Sequence, residues 1–187
     1  MLLTALATSG CTTQIHSDYP QYLANNQGAA NFPNVAKPVE YYLDPTTDNH
    51  SVPISSIMAG VGSRWIVKFG RVLDATMKSG EIEATFDSVH KTGTRKDVIG
   101  LLVVFSLQDY QFSGFEATAA LTISAYTDGR EILSKDYSAT GISQGAKMFW
   151  GGGFAMKNAI QQSTKNAIDI ILAAFIADLN GALATQT

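Results

Sequence analysis

The chain is poor in cysteine and in charge. Its 187 residues contain a single cysteine, Cys11, so no intrachain disulfide can form and the fold has to be held by its core. Charged residues make up 16% of the sequence, and the formal net charge is −3. A nucleic-acid-binding protein would instead present a clustered basic surface. The composition therefore excludes a disulfide scaffold and argues against a nucleic-acid partner.

Groups that bind metals or perform catalysis are scarce as well. The histidines, His16, His50 and His90, have no metal-ligand spacing. No serine lies in a Gly-x-Ser-x-Gly motif, and Glu81 and Glu83 fall on the outer, solvated face of a predicted strand. We therefore expect a protein that is not an enzyme and holds no metal or cofactor. A hydrolase whose site is assembled from scattered residues is the least favoured alternative.

No apolar run is long enough to predict a membrane span. The most apolar run covers residues 167–177 and is interrupted by Asp169. A spanning helix needs about 20 consecutive apolar residues. Any attachment to a membrane is therefore expected to depend on Cys11.

The start of the chain is apolar, uncharged and ends in small residues before the cysteine. Residues 1–10 have the character of the end of a signal peptide, and Thr8-Ser9-Gly10-Cys11 resembles the lipobox of bacterial lipoproteins. The resemblance implies cleavage after Gly10 and a lipid on the thiol of Cys11, which attaches the chain to a bacterial membrane. Because Thr12, not Asp, follows the cysteine, the resemblance also implies the periplasmic face of the outer membrane. The alternative is an ordinary N-terminus with a chance cysteine.

The chain divides by composition into a tether, one domain and a short tail. Residues 11–38 are polar and contain three prolines, which predicts a lipidated, extended tether. Residues 39–181 carry the periodic apolar patterns and are predicted to form a single domain. Residues 182–187 are the C-terminal tail.

Apolar spacing within this domain predicts an α+β fold. In residues 51–79 the apolar side chains recur every three or four positions, as in an amphipathic helix, and the same spacing returns in residues 155–180. Alternation predicts strands at 39–43, 81–90, 101–112, 117–126 and 130–140. The expected architecture is an antiparallel sheet of about four to five strands with two long helices packed on one face.

The last two strands are predicted to form a hairpin around Asp128-Gly129. A two-residue loop would set Ile123 opposite Ser134, whereas a three-residue loop with a left-handed Gly129 would set Ile123 opposite Leu133. The second register leaves one apolar and one polar face, so it is the register that we predict.

One loop combines glycines with large apolar side chains. Gly151-Gly152-Gly153 precedes the last helix, and its neighbours include Met148, Phe149, Trp150 and Phe154. The glycine amides can cradle an anion, but the phosphate-loop spacing is absent. The aromatic side chains either seal the core or contact a partner, a lipid or a second copy of the chain, and Trp150 is the expected anchor of such a contact.

The order of elements behind this lipobox resembles that of small bacterial outer-membrane lipoproteins of the YajG-like and ABC-transport auxiliary kind. A more distant resemblance is to the lipopolysaccharide-assembly lipoprotein LptE. The resemblance is clearest in the last hairpin and in the helix from Lys157-Asn158-Ala159-Ile160 to Ile176-Ala177-Asp178-Leu179. It implies a non-enzymatic, lipid-anchored periplasmic binding or adaptor module of the envelope. The alternative is a homo-oligomeric structural envelope lipoprotein that associates through residues 148–154.

Overall fold

The computed structural model describes residues 12–28, 30–55, 64–95, 99–143 and 152–185, with the backbone alone for 152–154. The fold is mixed α+β, as predicted. The strands are β1 (Thr12–Gln14), β2 (Pro38–Leu43), β3 (Ser51–Ser55), β4 (Arg64–Lys68), β5 (Ser88–Lys91), β6 (Leu101–Ser113), β7 (Glu116–Thr127) and β8 (Arg130–Gly141). The helices are α1 (Tyr19–Asn25), α2 (Pro45–Asn49), α3 (Phe69–Met77), α4 (Gly80–Glu83) and α5 (Gly152–Ala184), with a 3₁₀ turn at Ile15–Ser17.

Two sheets organise these elements. The larger sheet has the strand order β5-β2-β6-β7-β8, and the smaller has the order β1-β4-β3. In the larger sheet β2 runs parallel to both β5 and β6, whereas β6, β7 and β8 are antiparallel. The sheet therefore has the predicted number of strands, but β2 is parallel to both of its neighbours. The chain leaves this sheet after β2 and returns to it at β5 through a long connection that contains β3, β4 and α3.

The helix α5 packs along β7 and β8 and closes one face of the larger sheet. The predicted inward positions are all buried: Ile160, Thr164, Ala167, Ile168, Ile171, Leu172, Phe175, Ile176 and Leu179. Packing is closest at Gly141 of β8, where an added Cβ would lie 1.9 Å from the carbonyl oxygen of Ser163. The helix continues through Gly181 to Ala184, beyond the predicted range of 155–180.

By length and composition α5 also meets the requirement for crossing a membrane. Residues Ala155–Ala184 include a window with a mean hydropathy of 1.8. Core helices of soluble proteins meet the same requirement, and the apolar face of α5 has a partner in the sheet. The absence of a membrane span stays a prediction.

The first of the two predicted long helices is wrong. Residues 51–55 and 64–68 form the antiparallel strands β3 and β4, and only Phe69–Met77 is helical. Residues 81–83, expected in a strand, belong to α4, and the strand β5 begins only at Ser88. A short apolar segment is compatible with the period of a helix and with that of a strand. Here the pairing of β4 with β1 and β3 favours the strands.

The predicted hairpin register is also wrong, although its two strands are confirmed. Asp128 and Gly129 have φ values of 50° and 78°, so the chain turns in two residues. A bulge opposite Ala125 and Tyr126 then shifts the register, so that Leu121 faces Tyr137 and Ile123 faces Lys135. The bulge achieves what the longer loop was expected to achieve, because it returns the apolar side chains of both strands to one face.

Residues 12–25 are not the extended tether that their composition suggested. They form β1, the 3₁₀ turn and α1, and they place Ile15, Tyr19 and Leu23 in the core. Each such side chain contributes about 1.5–3 kcal/mol when fully buried. The segment is therefore part of the folded unit, held there by three apolar side chains that are spaced four residues apart.

Candidate binding cleft and its ion cluster

A polar stripe runs along α5 on the side that faces the N-terminal segment. It consists of Lys157, Gln161, Lys165 and Asp169, spaced four residues apart, so the four side chains lie on one helix face. Gln161, Lys165 and Asp169 are buried, although long polar side chains rarely are. The stripe therefore has to be satisfied by groups from other elements.

Lys165 is the centre of a buried ion cluster. Its Nζ lies 3.0 Å from Oε2 of Glu81 in α4 and 2.7 Å from Oδ2 of Asp169. The exposed fractions of the Lys165, Glu81 and Asp169 side chains are 5%, 10% and 11%. Removing one member of such a cluster leaves a buried charge without compensation, so the cluster fixes α4 against α5.

Burial and pairing act in opposite directions on the two carboxyl groups. Burial raises the pKa of Asp169 to about 6, although the hydrogen bond from Lys165 acts to lower it. Burial also opposes ionisation of Glu81, but the Lys165 ammonium and the backbone amide of Gly28 outweigh it and hold the pKa of Glu81 below its usual value. Asp169 is consequently the member of the cluster whose charge is least stable.

The cluster also fastens the turn that follows α1. The backbone N–H of Gly28 donates to Oε1 of Glu81 at 2.6 Å, and Gly28 has a φ of 88°, in the region that favours glycine. A second attachment lies further along the stripe, where Asp18 accepts hydrogen bonds from Lys157 and Gln161. The N-terminal segment is thus held to α5 by polar contacts at two points.

Between this segment and α5 lies an open cleft of about 850 Å³. Lys165 and Asp169 form part of its lining, and six carboxamide side chains surround them: Asn25, Asn26, Gln27, Asn31, Gln162 and Asn166. Ile142 and Ile170 also line the cleft, with exposed fractions of 65% and 46%. Asn166 accepts a hydrogen bond from the backbone N–H of Ile142 at 3.0 Å, which holds the chain after β8 against α5.

One oxygen at the cleft is left without a partner. Oδ1 of Asp169 is buried and has no hydrogen bond to any other described residue. A buried acceptor without a donor costs free energy, so this atom marks a place where a donor would be favoured. The cleft therefore combines neutral amide donors and acceptors, an apolar wall and an excess of negative charge at its base.

Most of the site residues expected from the sequence lie outside the described residues. They are Cys11, Met148, Phe149 and Trp150, and of Phe154 only the helical backbone is described. Lys157, which follows the triplet Gly151-Gly152-Gly153 in the sequence, is paired with Asp18. The expected contact at residues 148–154 therefore stays a prediction.

The position of Glu81 is a correction to the sequence analysis. We expected it on the solvated face of a strand, but it lies in α4 and is largely buried against Lys165. The signal that was available is the recurrence of Lys157, Gln161, Lys165 and Asp169 every four residues of an apolar helix. Nothing in the sequence near Glu81 identifies it as the partner.

Within the described ranges, no group of three or more His, Cys, Asp or Glu side chains is placed to hold a metal ion. The expectation of a chain without metal or cofactor stays a prediction.

No protein-family model and no curated protein matches the sequence. Among solved structures, the fold is similar to that of protein XCC0632 from Xanthomonas campestris, of the family DUF330, with a TM-score of 0.50. The two chains are 13% identical, and the match covers 83% of this chain and 91% of the other. At that identity the similarity concerns the fold alone.

Proposed function

We propose that this protein is a lipid-anchored binding or adaptor module at the periplasmic face of the bacterial outer membrane, and that it is not an enzyme. The observation that carries the proposal is Thr8-Ser9-Gly10-Cys11, in which small residues precede the single cysteine after an apolar run. The proposed location at the outer membrane rests on the resemblance of this motif to the lipobox of envelope lipoproteins.

The folded N-terminal segment supports a short attachment. Thr12 is exposed and already pairs with β4, so a lipid on Cys11 would leave no flexible residues between the anchor and the domain. The domain would then be held directly at the membrane surface rather than at the end of a tether.

The cleft supports a binding role for the domain. Ligand sites are typically concave, with a few well-placed polar groups and apolar walls, and the cleft has both. The exposed Ile142 and Ile170 are the side chains that we expect a partner to cover.

The test of this function begins with Cys11. The gene, expressed in a bacterium with its natural upstream codons, is labelled with palmitate, and the Cys11→Ser variant is labelled in parallel. Label on the native protein and none on the variant is expected. Equal label on both would contradict the lipid anchor.

The binding surface is tested with a photo-crosslinking residue at position 170 or at position 99. Ile99 is 91% exposed and does not line the cleft, so it serves as the matched control. A discrete crosslinked product from position 170 only is expected. Identical products from both positions would contradict a role for the cleft.

The alternative of a homo-oligomer has no comparable support. β8 is an edge strand of the larger sheet. Pairing of β8 with an edge strand of a second copy is disfavoured by the bulge at its start and by Lys135 and Asp136. Self-association through residues 148–154 stays a prediction.

A further inference from the structure

The smaller sheet has one face that carries positive charge and no described carboxylate. Residues that pair directly share a face of a sheet, so the register places Thr12 beside Arg64 and Gln14 beside Ile66. On the other side of β4, Ser55 pairs with Arg64 and Ser51 with Lys68. The strands β1, β3 and β4 contain no Asp or Glu.

The cations on this face are exposed and form no salt bridge within the described part of the chain. Arg64 and Lys68 are both exposed, and neither forms a salt bridge with another described residue. Arg71, in the first turns of α3, is exposed and equally unpaired among the described residues. Burial lowers the pKa of His16, and the charges of Lys68 and Arg71 lower it further, which places both cations near the 3₁₀ turn. Lys78, Lys91 and Lys135, by contrast, are paired with carboxylates.

The first described residue of the chain lies on the same face. Thr12 belongs to this face, and Cys11 is its immediate neighbour in the sequence. With no flexible residues between them, a lipid on Cys11 would bring the face of Thr12, Arg64 and Lys68 to the bilayer surface.

We propose that the outer face of the β1-β4-β3 sheet, with Arg64 and Lys68, docks on an anionic phospholipid surface beside the anchor at Cys11. This inference rests on the proposed lipid attachment for its orientation. A lipid chain combined with basic residues binds a membrane more firmly than either does alone. The docked face also fixes the orientation of the domain, which a single anchor does not.

The charges can be tested without the lipid. Full-length Cys11→Ser protein is mixed with vesicles of phosphatidylcholine that contain a minor share of phosphatidylglycerol, and with vesicles of phosphatidylcholine only. Cosedimentation is expected with the anionic vesicles only. It should weaken as salt is raised, because the screening length falls from about 10 Å at 0.1 M to about 3 Å at 1 M salt.

A pair of charge-matched variants locates the surface. Each basic residue near an anionic membrane contributes roughly a fivefold gain in partitioning. Adding Arg64→Gln and Lys68→Gln should therefore lower partitioning by about 10- to 30-fold. The control carries Lys37→Gln and Arg130→Gln, two exposed cations outside the smaller sheet, and has the same net charge. It should partition as the parent does.

The outcomes separate this inference from the proposed function. Equal losses in the two variants, or equal binding to both kinds of vesicle, would overturn the docking face. Neither result would bear on palmitate labelling of Cys11. All the replaced side chains are exposed, so the melting temperature of each variant is expected to match that of the parent. A variant that melts at a lower temperature is replaced by the corresponding Lys-to-Arg or Arg-to-Lys exchange. That exchange keeps the charge and should retain partitioning.

Discussion

The two sides of α5 are built from different chemistry. Towards the larger sheet, Phe175 contacts the rings of Phe105 and Tyr137, with centroid distances of 6.4 and 6.1 Å. Towards the N-terminal segment, Lys165 and Asp169 are held by ion pairs. The first side stabilises the fold by burial of apolar area, which does not depend on pH. The second joins separate elements through groups whose charge depends on pH.

This difference shows how one helix serves two purposes. The sheet side has to be apolar because the strands β6 to β8 present apolar side chains to it. The other side faces Asp18, which precedes α1, and Glu81 of α4. Ion pairs and hydrogen bonds join these groups to α5, beside a cleft that is lined by carboxamide groups and by Ile142 and Ile170.

The largest effect is expected from Phe175→Ala on the sheet side. Phe175 is 2% exposed, and truncation of a buried phenylalanine costs about 3–5 kcal/mol. Urea unfolding should show this loss equally at pH 5 and at pH 7, because the rings that form the contact carry no charge at either pH. A loss under about 1 kcal/mol would mean that this side of α5 does not form the core.

A smaller loss, of about 3 kcal/mol at neutral pH, is expected from Lys165→Met, because Glu81 and Asp169 are left as buried carboxylates without a counter-ion. The loss should shrink as the pH is lowered and the carboxyl groups take up protons. The matched control is Lys157→Met, on the same stripe, where the more exposed pair with Asp18 should contribute less than about 1 kcal/mol. Equal losses from the two variants would contradict a special role for the buried cluster.

The smallest effect is a change in pH dependence from Asp169→Asn. The folded-state pKa of Asp169 is about 6 and exceeds the unfolded value of 3.8, so its ionisation costs stability as the pH rises from about 4 to about 6. The variant lacks this cost. Between pH 4 and pH 7 its free energy of unfolding should rise relative to the native protein by about 1–3 kcal/mol.

Asp178→Asn, on the same helix, is the control for that measurement. Lys135 and Tyr137 hold the pKa of Asp178 below its usual value, so its contribution to stability is present above about pH 4 and is lost as the pH falls. The two variants should therefore change the pH profile in opposite directions. Changes of the same sign would mean that burial does not control Asp169.

Local pattern determined the parts of the fold in which partners are near in sequence. The turn at Asp128-Gly129 joins β7 and β8, and the long periodic stretch of α5 identifies both the helix and its inward face. In such elements a residue's structural neighbours are two to four positions away, or just across a turn. A short window of the sequence is therefore enough to predict such an element.

Only the tertiary structure decided the parts that depend on distant partners. Residues 64–68 form the strand β4 because they pair with the distant residues 12–14 of β1. Glu81 is buried only because Lys165 lies beside it. The segment 12–25 is polar in composition, yet three apolar side chains dock it on the domain. Composition and period describe what a segment can form, whereas the free energy of burial and pairing with residues far along the chain selects what it does form.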